Sequence, residues 1–493
     1  MRENFTFYAY LCLFSSIYDL FLLNLRENFT IMLIRFVVKN LFSFNEATEF
    51  NMLPSKATRL KHHKYKLNDE IEVLKLAAIY GANASGKSNL VKSFATLKKI
   101  ILSGKVPFDL NLKKFKLSNG NINKPIEFSV EFYTTKKFYY YTISILANRI
   151  VEEYLCEVVI GKEDRLIFHR ETDENNINSV TFFNEFYKNE KNILLKEIIE
   201  STILKYNQSL LDIIDEFDKN SNQLTDDEWF DIFALHAWLE DEIKIVSNLS
   251  LYSRFLPLQL NFDTDFKKFA IQILSTYSTG ITDIVIEKIP IELFFGSNNL
   301  DEINKIINSI ETNNDYPVYK MINNEVVNFI KEKNKILAVQ LKYIINNDEG
   351  NGVVFRYNEL SDGTKKLVDY LRILDDVINS ECSYMIDEVE KSIHPLLIKE
   401  IISKFSKEEN TKGQLIFTSH ECNLLDQDIL RTDEIWFAEK NKKGETKLYS
   451  LSDFKEHSTI DIRKGYLQGR YGGIPFISNL QDLNWHKEDV VEK

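Results

Sequence analysis

Short runs of apolar residues, each ending at glycine or at polar residues, alternate along the chain with stretches of helical spacing. EVLKLAAIY (72–80), CSYMIDE (382–388) and QLIFTSH (414–420) are three such runs. Continuous apolar runs of this length are typical of parallel strands that are buried on both faces. The pattern therefore predicts an α/β fold in which buried parallel strands are flanked by helices.

Two stretches beside these runs have the apolar spacing of amphipathic helices: SNLVKSFATLKKIIL (88–102) and ELSDGTKKLVDYLRIL (359–374). Their apolar positions are Leu90, Val91, Phe94, Leu97, Ile100 and Ile101 in the first, and Leu367, Tyr370, Leu371 and Leu374 in the second. This spacing puts apolar side chains on one face of a helix, so both stretches are predicted to be helices.

A long insertion separates the first helix from the C-terminal strands. Residues 124–170 contain alternating runs such as IEFSVEFY, which predict antiparallel strands that extend the sheet. From about residue 186 the pattern becomes helical, as in ILLKEIIESTILKYNQSLLDIIDEF (193–217). Sustained heptads are absent from the sequence, which favours a compact helical domain over a long coiled coil. KNKILAVQLKYI (333–344) and GVVFRYNEL (352–360) then predict two returning strands.

The first 31 residues do not fit this organisation. FTFYAYLCLFSSIYDLFLLNL (5–25) is apolar, but Asp19 interrupts it and Glu3 offsets the charge of Arg2. A signal peptide would instead begin with net positive charge. We expect an extension upstream of the real start at Met32, with a membrane anchor and a packed helix as the alternatives.

The predicted organisation therefore has four parts. They are a doubtful extension (1–31), the N-terminal half of the α/β unit with its β extension (32–185), an inserted helical domain (186–330) and the C-terminal half of the α/β unit (331–493).

Charge and cysteine content narrow the functional classes. The net charge of −12 provides no overall basic field for nucleic acid, although a local basic groove remains open. The four cysteines are Cys12, Cys156, Cys382 and Cys422. Since none of them lies in a CxxC spacing, zinc sites and a disulfide framework are not expected, and a reducing cytoplasm fits.

The sequence YGANASGKSNL (80–90) carries the first chemistry. Its GxxxxGKS pattern lies between a predicted strand and a predicted helix, where backbone N–H groups and the helix dipole bind phosphate. The expected nucleotide-binding residues are Gly81, Asn83, Ala84, Ser85, Gly86, Lys87, Ser88 and Asn89. Lys87 would reach the β- and γ-phosphates of ATP, and the Ser88 hydroxyl would ligate Mg²⁺.

Acidic and histidine residues end the next two strands. Asp387 is expected to hold Mg²⁺ opposite Ser88, and Glu388 to orient and deprotonate the attacking water. His420 follows the third run and is expected to contact the γ-phosphate as a sensor. The expected catalytic residues are therefore Glu388, Lys87 and His420.

A second anion site is predicted at the start of the later helix. Ser361, Asp362 and Gly363 combine a hydroxyl with a glycine at a helix start. The alternative is a plain N-cap, which Ser361 or Asp362 could provide for any helix.

The order GANASGKSN, LSDGT, MIDE and TSH resembles the ABC-type ATPase heads of the SMC, RecF and OLD group. By this resemblance, residues 81–88 are similar to Walker A, 360–364 to the signature motif, Asp387 and Glu388 to Walker B, and His420 to the switch histidine. VEKSIHP (389–395) is similar to the stretch after Walker B in OLD-type ATPases, where Ser392 and His394 would face a dimer partner.

A narrower resemblance involves LLDQDILRTDEIWFAEK and YLQGRYGGIPFI, which follow His420. Together with the long insertion they look like the ATPases of bacterial phage-defence operons, the RloA and AbiL-like group. Two departures stand out. Asp362 replaces the glycine of transporter signatures, and no glutamine precedes Gln208, so the Q-loop residue is missing or replaced, with Glu127 as a candidate.

The resemblance implies a P-loop ABC-type head, in which a mixed sheet is flanked by helices. It also implies a cytoplasmic Mg²⁺-dependent ATPase that forms a homodimer or a larger even-numbered oligomer. Each ATP would lie between Walker A of one chain and Ser361 and Gly363 of the other. The expected role is a sensor or scaffold that controls a separate effector, a nuclease or toxin from the same operon, with no membrane partner. A DNA-clamping repair ATPase of the RecF or SMC kind and a nucleotide-binding regulator with little hydrolysis remain alternatives.

Overall fold

The computed structural model describes residues 32–134, 137–214, 231, 235–247, 253–296, 299–312, 318–333, 335–391, 393–454 and 461–474. The segment at 1–31 and Ser392 therefore lie outside the described residues.

The nucleotide motifs lie on a six-stranded central sheet with the order β11-β17-β18-β5-β19-β20. Its strands are β5 (Leu76–Tyr80), β11 (Ile243–Val246), β17 (Ser383–Ile386), β18 (Gln414–Thr418), β19 (Ile435–Lys440) and β20 (Thr446–Ser450). All neighbours pair in parallel except β19 and β20, which are antiparallel. The predicted α/β class with a mixed sheet is confirmed.

An antiparallel sheet covers one side of this unit, in the order β10-β9-β8-β7-β6-β1-β2. Its strands are β1 (Met32–Lys39), β2 (Thr48–Asn51), β6 (Ile126–Thr134), β7 (Lys137–Leu146), β8 (Arg149–Val158), β9 (Arg165–Thr172) and β10 (Asn178–Phe182). The predicted antiparallel strands after residue 124 are present, but they extend the sheet of β1 and not the central sheet. A short pair, β3 (Lys64–Lys66) and β4 (Glu72–Leu74), precedes β5.

Nine helices are named within the described residues. They are α1 (Lys87–Leu102), α2 (Glu190–Ile198), α3 (Leu256–Phe262), α4 (Thr264–Thr276), α5 (Ile291–Phe295), α6 (Leu300–Thr312), α7 (Asp362–Asn379), α8 (Pro395–Lys407) and α9 (Ile462–Leu467). The predicted apolar faces of α1 and α7 are buried.

Side-chain alternation along β5 divides the core into two layers. Ala77 and Ile79 pack in a cluster with α1 and the antiparallel sheet, where the Phe94 and Phe36 rings lie 4.7 Å apart. Leu76, Ala78 and Tyr80 pack in a second cluster with α7 and α8. The phosphate-loop strand is thus buried on both faces, which its continuous apolar run predicts.

The expected helical domain over 186–330 is only partly correct for the part that the structure describes, because the region holds the helices α2 to α6 together with strands. That region holds β11, which joins the central sheet, and strands β12 (Ile281–Pro290), β13 (Val318–Ile322) and β14 (Glu325–Glu332). These strands form a further antiparallel sheet with β15 (Lys335–Asn346) and β16 (Gly352–Phe355), the two predicted returning strands. The stretch predicted to be helical from residue 193 is also interrupted, since Leu204 has extended backbone.

Candidate functional site

The phosphate loop connects the end of β5 to the start of α1, and both of its glycines are required by close contacts. A Cβ atom on Gly86, whose φ is +114°, would overlap the Thr446 hydroxyl. A Cβ atom on Gly81 would lie 2.5 Å from Ser85 Oγ and would also overlap the Ala438 carbonyl oxygen. Larger residues at either position would therefore distort the loop.

Side chains that are distant in sequence hold this loop in place through hydrogen bonds. Thr446 Oγ1 on β20 lies 2.7 Å from both the Ser85 carbonyl oxygen and Ser43 Oγ. Asn89 Nδ2 donates to Ser43 Oγ at 2.8 Å. Ser43 and Thr446 were not predicted from the sequence, because no local motif connects them to the loop. Asn89 thus contacts a loop-supporting residue, while Asn83 and Ala84 are exposed.

Lys87 is folded back over the loop. Its Nζ donates to the Gly81 and Ala82 carbonyl oxygens at 2.7 Å and 3.1 Å. The residue is buried, and this burial lowers the pKa of Lys87 to about 8, against raising contributions from Glu390, Asp387 and Glu388. The amine can exchange these two carbonyl partners for phosphate oxygens.

Ser88 and Asp387 lie together, as predicted. Ser88 Oγ donates to Asp387 Oδ1 at 3.0 Å, and Thr418 Oγ1 at the end of β18 donates to the same oxygen at 2.7 Å. A hydroxyl beside a carboxylate is a hard oxygen donor set of the kind that Mg²⁺ prefers. The residues therefore fit the metal that the sequence motifs imply.

Glu388 follows directly in a left-handed conformation. Its φ is +54°, and its backbone N–H donates to Thr418 Oγ1 at 2.8 Å. Left-handed backbone is unusual for a residue with a Cβ and is held in place by its surroundings. The turn leaves the Glu388 side chain 41 % exposed, with Lys391 Nζ 3.7 Å from its carboxylate, while Val389 returns to the core.

His420 belongs to the same group of residues. Burial lowers its pKa, and the Lys87 charge lowers it further, whereas Glu390, Glu388 and Asp387 raise it. The backbone N–H of His420 donates to Glu390 Oε1 at 2.7 Å. The structure therefore brings Lys87, Ser88, Asp387, Glu388 and His420 together, and it adds Glu390, which the sequence motifs did not predict.

The helix start at Ser361 and Asp362 is exposed. Ser361 Oγ accepts from the backbone N–H of Thr364 at 3.2 Å, which makes it the N-cap of α7. Asp362 is 90 % exposed and lies 3.4 Å from Lys365 Nζ. The N-cap interpretation is thus correct as a local description. The role of Ser361, Asp362 and Gly363 toward nucleotide stays a prediction.

Residues 76–426, more than half of the chain, match the profile of a family described as "AAA domain, putative AbiEii toxin, Type IV TA system". The chain belongs to this AbiEii-type AAA family. The matched range begins with β5 and ends after His420, so it includes every residue grouped above except the supporting Ser43 and Thr446.

Three solved structures are similar at low identity. A crystal structure of the SMC head bound to the C-winged helix domain of ScpA has 12% identity and a TM-score of 0.42, covering 86% of this chain and 99% of its own. The SMC head domain from Thermotoga maritima has 13% identity and a TM-score of 0.37, covering 85% and 98%. An Smc head domain with an extended coiled coil, bound to the C-terminal domain of ScpA derived from Pyrococcus furiosus, has 12% identity and a TM-score of 0.37, covering 86% and 100%.

No curated protein sequence matches the chain significantly. Within the described residues, every helix is too short or too polar to cross a lipid bilayer.

In this AbiEii-type AAA chain, a C-terminal turn packs against the phosphate loop. A Cβ atom on Gly473 would lie 3.6 Å from Gly81 Cα, and the Tyr466 hydroxyl donates to the Gly473 carbonyl oxygen at 3.1 Å. The Tyr471 ring stacks on Phe437 of β19 with 5.8 Å between centroids. The sequence YLQGRYGG (466–473) therefore forms a turn that packs against the phosphate-loop end of the central sheet.

Two other candidates have local partners. Glu127, considered as a Q-loop replacement, accepts a hydrogen bond from Lys39 at 2.9 Å within the antiparallel sheet. His394 is exposed and caps α8, since its Nδ1 accepts from the Leu396 backbone N–H at 3.3 Å.

We expect the affinity for ATP to depend on pH through Lys87. Without nucleotide, Lys87 loses its proton as the pH rises through about 8. Phosphate binds the ammonium form, so above pH 8 binding must take up a proton, and the dissociation constant should rise about tenfold per pH unit. Titration with a non-hydrolysable ATP analogue from pH 6.5 to 9.5 measures this. An affinity that stays constant up to pH 9.5 would contradict it.

Proposed function

We propose that the protein is a Mg²⁺-dependent ATPase whose nucleotide site is completed by a second copy of the chain. The observation that supports this best is the hydrogen bond between Ser88 Oγ and Asp387 Oδ1, which joins the phosphate loop to the acidic strand end. Glu388 and His420 lie beside that contact, so binding and hydrolytic groups are close together.

In the proposed mechanism, the N–H groups of residues 81–88 and the Lys87 ammonium bind the phosphates. Ser88 and Asp387 would hold Mg²⁺, which neutralises phosphate charge when bound. The partly exposed Glu388 carboxylate orients water and accepts its proton as the water oxygen bonds to the γ-phosphorus. The bond from the γ-phosphorus to the bridging oxygen breaks at the same time, and ADP leaves with its electron pair. Burial lowers the pKa of His420, which favours the neutral imidazole, and this form can donate one hydrogen bond to the γ-phosphate.

The proposed dimer rests on the exposure of the α7 start. This helix start carries the second predicted anion site. Asp362 is 90 % exposed and Ser361 is exposed as well, so another chain can reach the site. We propose that it binds the γ-phosphate held by the other chain, so that ATP closes the dimer and hydrolysis opens it. This arrangement is isologous, because each chain contributes both halves of a site.

Mixing two inactive variants tests this arrangement. Lys87→Ala should remove phosphate binding, and Ser361→Arg should block the signature surface. Half of the dimers in an equal mixture are mixed, and each has one intact site. The second site of a mixed dimer carries both substitutions, whereas a parental dimer has two intact sites. The mixture should therefore recover about a quarter of the parental ATPase rate. A mixture as inactive as its components would contradict a shared site.

We further propose that the closed dimer, in the cytoplasm, controls a separate effector in anti-phage defence. The family description, which names a toxin and a toxin–antitoxin system, supports this proposal. Affinity purification of the native protein with ATP present, followed by identification of co-purified proteins, tests it. A co-purified nuclease or toxin from the same operon would support the sensor role. DNA-stimulated ATPase activity with steep salt dependence would instead favour a DNA clamp.

A further inference from the structure

Glu390 joins the turn after β17 to the turn after β18. Its Oε1 accepts the His420 backbone N–H at 2.7 Å, and its Oε2 accepts the Ser419 hydroxyl at 2.9 Å. One carboxylate thus binds two consecutive residues of the turn that carries the imidazole. Charged acceptors of this kind form stronger hydrogen bonds than neutral ones.

The Ser419–His420 turn is also fixed to the phosphate-loop strand. The Ser419 backbone N–H donates to the Ile79 carbonyl oxygen at 3.0 Å, and Ser419 is fully buried. The Val389 N–H donates to the Thr418 carbonyl oxygen at 3.1 Å. Glu390 therefore closes a network in which β5, β17 and β18 hold the position of His420.

The charge of Glu390 acts on the same groups. Among the acidic neighbours it contributes most to keeping Lys87 protonated, ahead of Asp387 and Glu388. It also contributes most to raising the pKa of His420 against the effects of burial and Lys87. Glu390 is thus coupled to the cation of the loop and to the imidazole through its field as well as through hydrogen bonds.

We propose that Glu390 is a positioning residue for ATP hydrolysis, which holds His420 in register with Glu388 across the γ-phosphate site. This inference rests on the proposed ATPase function. Glu390 acts through His420, so its loss should lower kcat. At pH 7 or below, where Lys87 still carries its proton, the binding of ATP should stay nearly unchanged. A residue with only a stabilising role would lower the melting temperature without this kinetic pattern.

A double-mutant cycle with Glu390→Ala and His420→Ala measures the coupling. We expect each single variant to lower kcat about 30- to 100-fold, with KM for ATP within about threefold of the parental value. The double variant should be close to the slower single variant, since the carboxylate no longer has an imidazole to position. Fully multiplicative losses would overturn the proposal.

Two milder variants guard against misfolding. Glu390→Gln keeps the side-chain length but has only one carbonyl oxygen for two donors, and Ser419→Ala removes one of those donors. Both should lower kcat by about 3- to 30-fold. Glu421→Gln is the matched control, because Glu421 is the neighbouring acid and its Oε1 accepts from the Asn423 N–H instead. The Glu421→Gln variant should retain the parental kcat. A decrease in kcat equal to that of Glu390→Gln would overturn the proposal.

Hydrogen exchange separates this inference from the ATPase proposal. The backbone N–H of His420 is hydrogen-bonded to Glu390. It should therefore exchange with solvent at least about tenfold faster in Glu390→Ala than in the parental protein, and at the parental rate in Glu421→Gln. A parental protein without Lys87-dependent ATPase activity would refute the proposed function. An active parent with unchanged kcat in Glu390→Ala would refute only the positioning role, and unchanged exchange would refute the contact itself.

Discussion

Replacing Glu388 with Gln should lower the rate of ATP hydrolysis by about 10²- to 10⁴-fold while ATP still binds. Glutamine keeps the size of the side chain on the left-handed turn, so the backbone bond to Thr418 Oγ1 should persist. It cannot accept a proton from water at neutral pH, so the chemical step fails. Steady-state phosphate release and the dissociation constant for ATP measure the two parts of this prediction.

The same variant should accumulate as an ATP-bound dimer. Light scattering with Mg²⁺ and ATP should give twice the monomer mass of 57.8 kDa for Glu388→Gln, or a larger even multiple of it. The parental protein should return to its starting mass as ATP is consumed. Hydrolysis at the parental rate would show that Glu388 is not the base, and a monomeric variant with bound ATP would refute dimer closure.

Replacing Lys87 with Ala should weaken ATP binding by about 10- to 150-fold. Phosphate loses a buried ammonium donor, and hydrogen bonds to charged groups contribute about 1.5–3 kcal/mol. The Gly81 and Ala82 carbonyl oxygens lose the same donor, so the loop itself becomes less ordered. Fluorescence titration with a labelled ATP analogue measures the affinity directly, without requiring hydrolysis.

Lys92→Ala is the matched control for this experiment. Lys92 lies on the same helix, α1, but is exposed. It should bind ATP as the parental protein does, and its melting temperature should match. Equal affinity in Lys87→Ala and Lys92→Ala would show that the phosphates do not bind at this loop.

The sequence predicts those parts of the site that depend on nearby residues. The glycines of the phosphate loop, Lys87 and the α1 helix lie within one short stretch, so spacing and periodicity are sufficient to find them. Asp387 and Glu388 are recognisable because they end an apolar run, and that run is indeed the buried strand β17. The buried parallel strands β5, β17 and β18 follow from the same runs.

Contacts between distant parts of the chain could not be predicted in this way. Thr446 supports the loop from 361 residues away, and Glu390 needs the β17–β18 pairing before it can reach His420. The strand at 281–290 forms against β15, about 50 residues later in the chain. Its short apolar repeats are compatible with helix or strand, and the pairing partner decides between them.

The order of strands in the central sheet has a consequence for biosynthesis. Strand β5 is flanked by β18 and β19, which a ribosome makes more than 330 residues later. Until those strands emerge, β5 and the phosphate loop lack both of their neighbouring strands in the central sheet, because long-range pairings form last. Ribosome-bound intermediates should therefore be unable to bind ATP. Chains that extend past residue 446 should bind it.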